Sequence, residues 1–250
     1  MKTEQLKENV IRYHFDPRMH YKFAEVIVAI IDGDKALLID TGYEEQAKEV
    51  VADLKEKGIE VEQIILTHFH SDHVEGLRAL PKLPIYGSSK FQETLNMFTP
   101  KSDHHLFTPT VKIDQATEIT FGGHRLTLTP LPGHSACGML VNLDDEVLFI
   151  GDELMAIPDG TPLLPSADWN DFKRHLVSLE QLKEYSHFPI VVPSHGPVFA
   201  GEKLLAEIEK RSAYITAIEA SNGKVSYAEA SQACGCEFAH AEWHERNCLR

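Results

Sequence analysis

Four groups able to bind a divalent metal crowd one short run of this chain: His68, His70, Asp72 and His73 in Thr67-His68-Phe69-His70-Ser71-Asp72-His73. A hydrophobic core gives no reason for such crowding, because burying these groups unpaired costs several kcal/mol apiece. His68 and His70 are two residues apart, so an extended segment points both the same way. Asp72 and His73 follow where the chain is predicted to turn into a helix starting near Val74. The run can therefore hold one metal at a strand end and offer further ligands beside it. A metal centre is the first reading.

Three further candidates sit after predicted strands. His134 lies in Pro132-Gly133-His134-Ser135, Asp152 follows Val147-Leu148-Phe149-Ile150 through Gly151, and His195 stands in Ser194-His195-Gly196-Pro197. Neighbouring glycines permit tight turns and close backbone approach at each. Junctions of this kind gather along one edge of a packed β-structure even when they are far apart in sequence.

The elements that must position them alternate. Phe23 to Ile31 and Lys35 to Asp40 flank the turn Asp32-Gly33-Asp34 and predict a hairpin. Ala47, Val50, Val51 and Leu54 keep helical spacing up to Gly58. Gln63 to Thr67 reads as a short buried strand delivering the histidine run. A strand near Ile85, a helix from Ser88 to Met97 and a loop from Thr99 to Thr110 carrying His104-His105 come next. Strands are expected at Glu118–Phe121, His124–Pro130, Met139–Leu143, Glu146–Ile150 and Pro189–Pro193. Phe172, Leu176, Leu179 and Leu182 mark a helix with Ser166 or Asp168 as its cap. From Glu202 the chain reads as helical, with a capping box at Ser226-Tyr227-Ala228-Glu229. The expected division is residues 1–201 as one domain and 202–250 as a helical extension packed on it.

Charge and composition exclude some functions. A formal charge of −14 argues against a broad nucleic-acid face, which needs clustered Lys and Arg. No apolar run approaches the ~20 residues of a membrane span, and the polar start Met1-Lys2-Thr3-Glu4 is unlike a secretory signal. Four cysteines are too few for a disulfide framework, so a reducing cytoplasm is expected. The expected partner is a small-molecule substrate, with no nucleic acid and no membrane; a homodimer is compatible. Cys236, His240, His244 and Cys248 recur every four residues. On one helix, steps of four drift by about 40° each, so all four could not meet one ion, and a metal-free cap helix is expected.

Thr67 to Gly76, with Gly133-His134, Gly151-Asp152, Ser194-His195-Gly196 and the early Ile39-Asp40-Thr41-Gly42, resembles the metallo-β-lactamase-fold hydrolase superfamily, in order from about Phe23 to Pro197. The resemblance implies an αββα sandwich of two mixed sheets with helices outside and metals along one edge. It implies His68, His70 and His134 on a first ion, Asp72, His73 and His195 on a second, and Asp152 bridging both. Asp40 would orient ligands without being one. Imidazole and carboxylate without thiolate suit two divalent ions, zinc first, with iron or manganese compatible. The ligand set is similar to that of the glyoxalase II and lactonase branches.

Two such ions would share a water and lower its pKa towards ~7. The function implied is hydrolysis of a small ester, thioester or lactone by a bridging hydroxide, with Asp72 and Asp152 as catalytic residues. Lactonases of the superfamily carry a tyrosine three residues after the bridging aspartate, where this chain has Met155. The alternatives are a phosphodiesterase for a small phosphorylated metabolite and a non-catalytic metal-binding sensor of the same fold.

Overall fold

The computed structural model describes residues 1–18 and 22–249. Among these, the strands are β1 (Lys2–Lys7), β2 (Val10–His14), β3 (Val26–Asp32), β4 (Lys35–Ile39), β5 (Glu60–Ile65), β6 (Ile85–Ser88), β7 (Val111–Ile113), β8 (Thr117–Phe121), β9 (His124–Pro130), β10 (Met139–Leu143), β11 (Val147–Phe149) and β12 (Ile190–Val192). The α-helices are α1 (Glu44–Glu56), α2 (Ser71–Val74), α3 (Phe91–Phe98), α4 (His104–Phe107), α5 (Phe172–Leu182), α6 (Leu204–Ser221), α7 (Tyr227–Cys234) and α8 (His244–Cys248).

Alternation along the strands builds the layers. In β3, Val26, Val28 and Ile30 face one apolar cluster while Ile27 and Ala29 face another, the period of two expected of a pleated strand. The first cluster also takes Leu126, Leu128, Val141, Leu143 and Phe149, so it lies between the two sheets. The second takes Val50 and Leu54 of α1. On the far side, Leu140, Leu148 and Val191 pack with Phe172 and Leu179 of α5 and with Leu204, Ile208 and Ile215 of α6. The order is helix, sheet, sheet, helix, the expected αββα sandwich. Each buried Leu or Ile contributes about 1.5–3 kcal/mol.

Both sheets are mixed. The first runs β1-β2-β3-β4-β5-β6-β7, antiparallel to β4 and parallel beyond it. The second runs β12-β11-β10-β9-β8, with β11 and β12 parallel. The β3–β4 hairpin closes at Asp32↔Lys35 as the sequence predicts.

Several expectations shift. The helical turn α2 begins at Ser71, so Asp72 and His73 lie inside it. Residues 101–107 are helical turns and not open loop. His104 and His105 there bond to the carbonyls of Thr99 and Ser102. The cap of α5 is Asp171, which accepts from Arg174 N, and neither Ser166 nor Asp168. The four-residue repeat of Cys236, His240, His244 and Cys248 does not ride one helix. The α7 helix ends at Cys234, His240 is left-handed, and α8 starts at His244. No helix among the described residues is long and apolar enough to cross a membrane.

Candidate metal centre

Each ligand candidate emerges where a strand stops. After β5 the chain runs through Leu66 and Thr67 to His68 and His70, then winds into α2. Asp40 ends β4 with φ 57, a left-handed conformation that Asp tolerates better than most residues. Its carboxylate accepts from Thr67 N and Oγ1, both at 2.8 Å, and from His73 Nδ1 at 2.8 Å. The turn after Asp40 clamps the histidine segment: Thr41 N and Oγ1 both donate to the His73 carbonyl, and Gly76 N donates to the Gly42 carbonyl. A Cβ on Gly76 would overlap the Thr41 carbonyl, so only glycine allows this approach. Asp152 and His195 follow β11 and β12, whose parallel pairing sets them side by side.

The histidines share one design. His134 Nδ1 donates to Ser166 O (2.8 Å), His195 Nδ1 to Ala24 O (2.9 Å), His73 Nδ1 to Asp40, and His70 Nε2 to Asp168 Oδ1 (2.8 Å). Acceptors that carry no proton fix the N–H on the outward nitrogen, leaving a lone pair on the inward one. Those inward nitrogens converge. His70 Nδ1 lies 3.0 Å from His68 Nε2 and 3.1 Å from His134 Nε2. Facing lone pairs repel unless a cation sits between them.

Two ligand groups result: His68, His70, His134 and Asp152, and Asp72, His73 and His195, the ligand atoms of each lying within 4.8 Å of one another. Asp152 stands between the groups. Its Oδ2 is 3.7 Å from His68 Nε2, 3.6 Å from His134 Nε2 and 3.4 Å from His195 Nε2, while its Oδ1 is 3.5 Å from His73 Nε2. Asp152 Oδ1, His73 Nε2 and His195 Nε2 are buried without hydrogen-bond partners. Buried polar atoms left unpaired cost free energy, which a bound ion would offset. The donor set fits a pair of divalent metals.

Electrostatics agrees. Burial pushes the His134 imidazole down to about 4 and His68 well below its ordinary value. Burial acts the same way on His195, yet Asp152 and Asp72 overcome it and push that ring up to about 10. His73 is raised as well, against burial, by Asp152, Asp40 and Asp72. Buried carboxylates here draw positive charge, in the form of protons or of a metal ion.

All seven residues expected as ligands thus come together, although they span positions 68 to 195. Sequence reasoning missed two of their supports. Asp168 accepts from His70, Thr94 Oγ1 (2.9 Å) and Ser135 Oγ (3.0 Å). Glu153 accepts from His134 N (3.0 Å) and Ser178 Oγ (2.7 Å). No local pattern marks Asp168, which is 98 positions from His70; Glu153, beside Asp152, had only adjacency as a signal. In the tail, His244 spends Nδ1 on Tyr214 and Nε2 on Val225 O, a structural role.

The ligands open into a cavity of about 560 Å³ lined by Phe98, Met155, Trp169, Trp243 and Arg246 among others. Trp243 and Arg246 of that lining belong to the tail. Asn247 Nδ2 donates to Pro165 O at 2.7 Å, and the Trp243 and His240 rings stack at 4.2 Å. Phe23 packs edge-on against His195 at 4.7 Å.

Comparison with known proteins agrees with this geometry. The metallo-beta-lactamase superfamily model matches residues 22–197. The Caenorhabditis elegans "Beta-lactamase-like protein 2 homolog" is 28% identical over 191 residues, covering 71% of this chain and 57% of that protein. The chain therefore spans little more than half of that relative's length. A "Hydroxyacylglutathione hydrolase" of Haemophilus ducreyi is 25% identical over 187 residues, 73% of this chain and 70% of that one. The solved metallo-beta-lactamase from Pontibacter korlensis shares the fold, with a TM-score of 0.69 at 23% identity over 83% of this chain and 98% of its own. By the residues its family model matches, the chain belongs to the metallo-beta-lactamase superfamily, and its layers share that fold.

Proposed function

We propose that the chain is a dinuclear hydrolase of a small ester, thioester or lactone. The observation that carries this is the position of Asp152, within 3.7 Å of histidines from both ligand groups. His68, His70 and His134 would hold one ion and Asp72, His73 and His195 the other, with Asp152 serving both. Zinc is the first choice; iron and manganese suit the same donors. When bound, the pair supplies Lewis acidity and an activated water near neutral pH.

The chain's own groups do the rest. Asp72 is the more open of the two inner carboxylates, its side chain 17% exposed against 5% for Asp152. It is the group that takes the proton given up by the attacking water. Asp40 and Asp168 hold His73 and His70 in one tautomer and orientation. Residues 202–250 act as an extension that covers the site, where Trp243 and Met155 keep bulk water from the reacting carbonyl.

Among the three substrate classes, thioesters lead. The Haemophilus relative is named for hydroxyacylglutathione, whose acyl group is bound through sulfur. Met155, at the place of the lactonase tyrosine, lowers the lactone. Assay of protein loaded with zinc, iron or manganese against thioester, ester, lactone and phosphodiester substrates tests the reading. Carbonyl substrates should turn over fastest. Phosphodiester-only turnover would transfer the assignment to a phosphodiesterase, and full occupancy with no turnover would make the protein a metal-binding sensor.

A further inference from the structure

His195 is held from two sides by segments far from it in sequence. Its Nδ1 donates to Ala24 O at 2.9 Å, and its own carbonyl accepts from Ala156 N at 3.1 Å. The Phe23 ring meets the His195 ring edge-on at 4.7 Å. Behind it, a Cβ on Gly196 would come within 3.0 Å of the Ala156 backbone, so these two strands of chain already touch. Neither residues 22–24 nor residues 155–156 belong to a helix or a strand of either sheet. Their amides and carbonyls must be fixed by something else.

The tail supplies that fixing at both places. Lys22 N donates to His240 Nε2 at 3.2 Å. His240 can accept there because its Nδ1 donates to Glu242 at 2.6 Å, which leaves the lone pair on Nε2. The residue is buried and left-handed, at φ 61, a costly backbone that its stack on Trp243 and its two hydrogen bonds over-determine. On the other side stands Arg211 of α6, only 2% exposed. A buried guanidinium is costly unless its N–H groups find acceptors. Nη1 takes Glu207 at 2.7 Å, and Nη2 donates to Met155 O at 2.7 Å, one residue before the amide that holds His195. Asn247 instead reaches the His134 side, through Pro165 O.

We propose that Arg211 and His240 are positioning residues for the second ion, holding His195 through residues 155–156 and 22–24. The tail is then a part of the metal centre as well as a wall of its cavity. This rests on the two-ion reading above and is tested without turnover. Zinc is drawn from the loaded protein with a chelator, and the ring N–H signals of His134 and His195 are followed by proton NMR. Wild type should release two ions, with both ring protons slow to exchange. His240→Phe keeps a ring against Trp243 but removes the acceptor. Arg211→Met keeps bulk and orphans no partner, since Leu163 N still donates to Met155 O and Lys210 still pairs with Glu207. In each variant the affinity for one ion should fall about 10-fold, the low end of the cost of a lost support behind a ligating histidine. The His195 proton should exchange faster, while the His134 proton and the other ion stay as in wild type. His240→Phe decides alone should Arg211→Met not fold. Unchanged affinity, or equal weakening of both ions with both ring signals lost, would overturn the proposal and leave the two-ion reading standing. A wild type that releases a single ion would overturn that reading and the proposal with it.

Discussion

At the residue scale, the site is a set of imidazoles each held by one nitrogen so that the other is free. Ser166 O, Ala24 O, Asp40 and Asp168 hold four of the five, and Thr67 Oγ1 stands 3.2 Å from Nδ1 of the fifth, His68. Removing a holder should weaken the metal without removing a ligand. Asp168→Asn can offer His70 an amide N–H in place of an acceptor, which disturbs the tautomer that directs Nδ1 inward. Affinity for the first ion should fall about 10- to 100-fold by chelator competition, with the fold kept; unchanged affinity would refute the positioning role. The ligands themselves were legible because His, Asp and Gly recur at strand ends in a fixed order. Asp168 was not, since its partner is distant and its local context reads equally well as a helix cap. The true cap, Asp171, stands only three residues on.

At the element scale, what holds the centre is contact between two turns distant in sequence. The Asp40-Thr41-Gly42 turn accepts and donates hydrogen bonds across to His73 and Gly76. Because a Cβ at position 76 would strike the Thr41 carbonyl, Gly76→Ala should force the turns apart. A loss of about 1–3 kcal/mol in denaturant unfolding is expected, with weaker metal retention; a variant as stable as wild type would show that the contact is slack. The strands built on apolar alternation, β4, β8, β9 and β10, were readable from the sequence within a residue, and β3 within three residues at its start. Most of those missed lack that signal; β2 was missed although Val10 and Tyr13 are buried, because Arg12 between them interrupts a five-residue run. The β1 strand is an exposed edge rich in charge, β7 has three residues, and α4 is a single turn. The tail failed for another reason: a spacing of four suggested one helix, but Gly235 at φ 60 and His240 at φ 61 break it.

At the scale of the whole molecule, the two mixed sheets bring β4, β5, β9, β11 and β12 ends to one edge, and Trp243 and Arg246 of the tail line the cavity there. Fold and metal edge could be inferred from ordered motifs, whereas the substrate wall could not. That wall is assembled from residues 23, 98, 169, 243 and 246 by packing that has no local signature. The central claim is that this edge carries two ions bridged by Asp152. Metal-to-chain ratio by elemental analysis, on zinc-reconstituted wild type and on Asp152→Ala, tests it most directly. The account predicts two ions per chain in wild type and loss from both positions in the variant. A single ion in wild type, or a variant that keeps both, would contradict it.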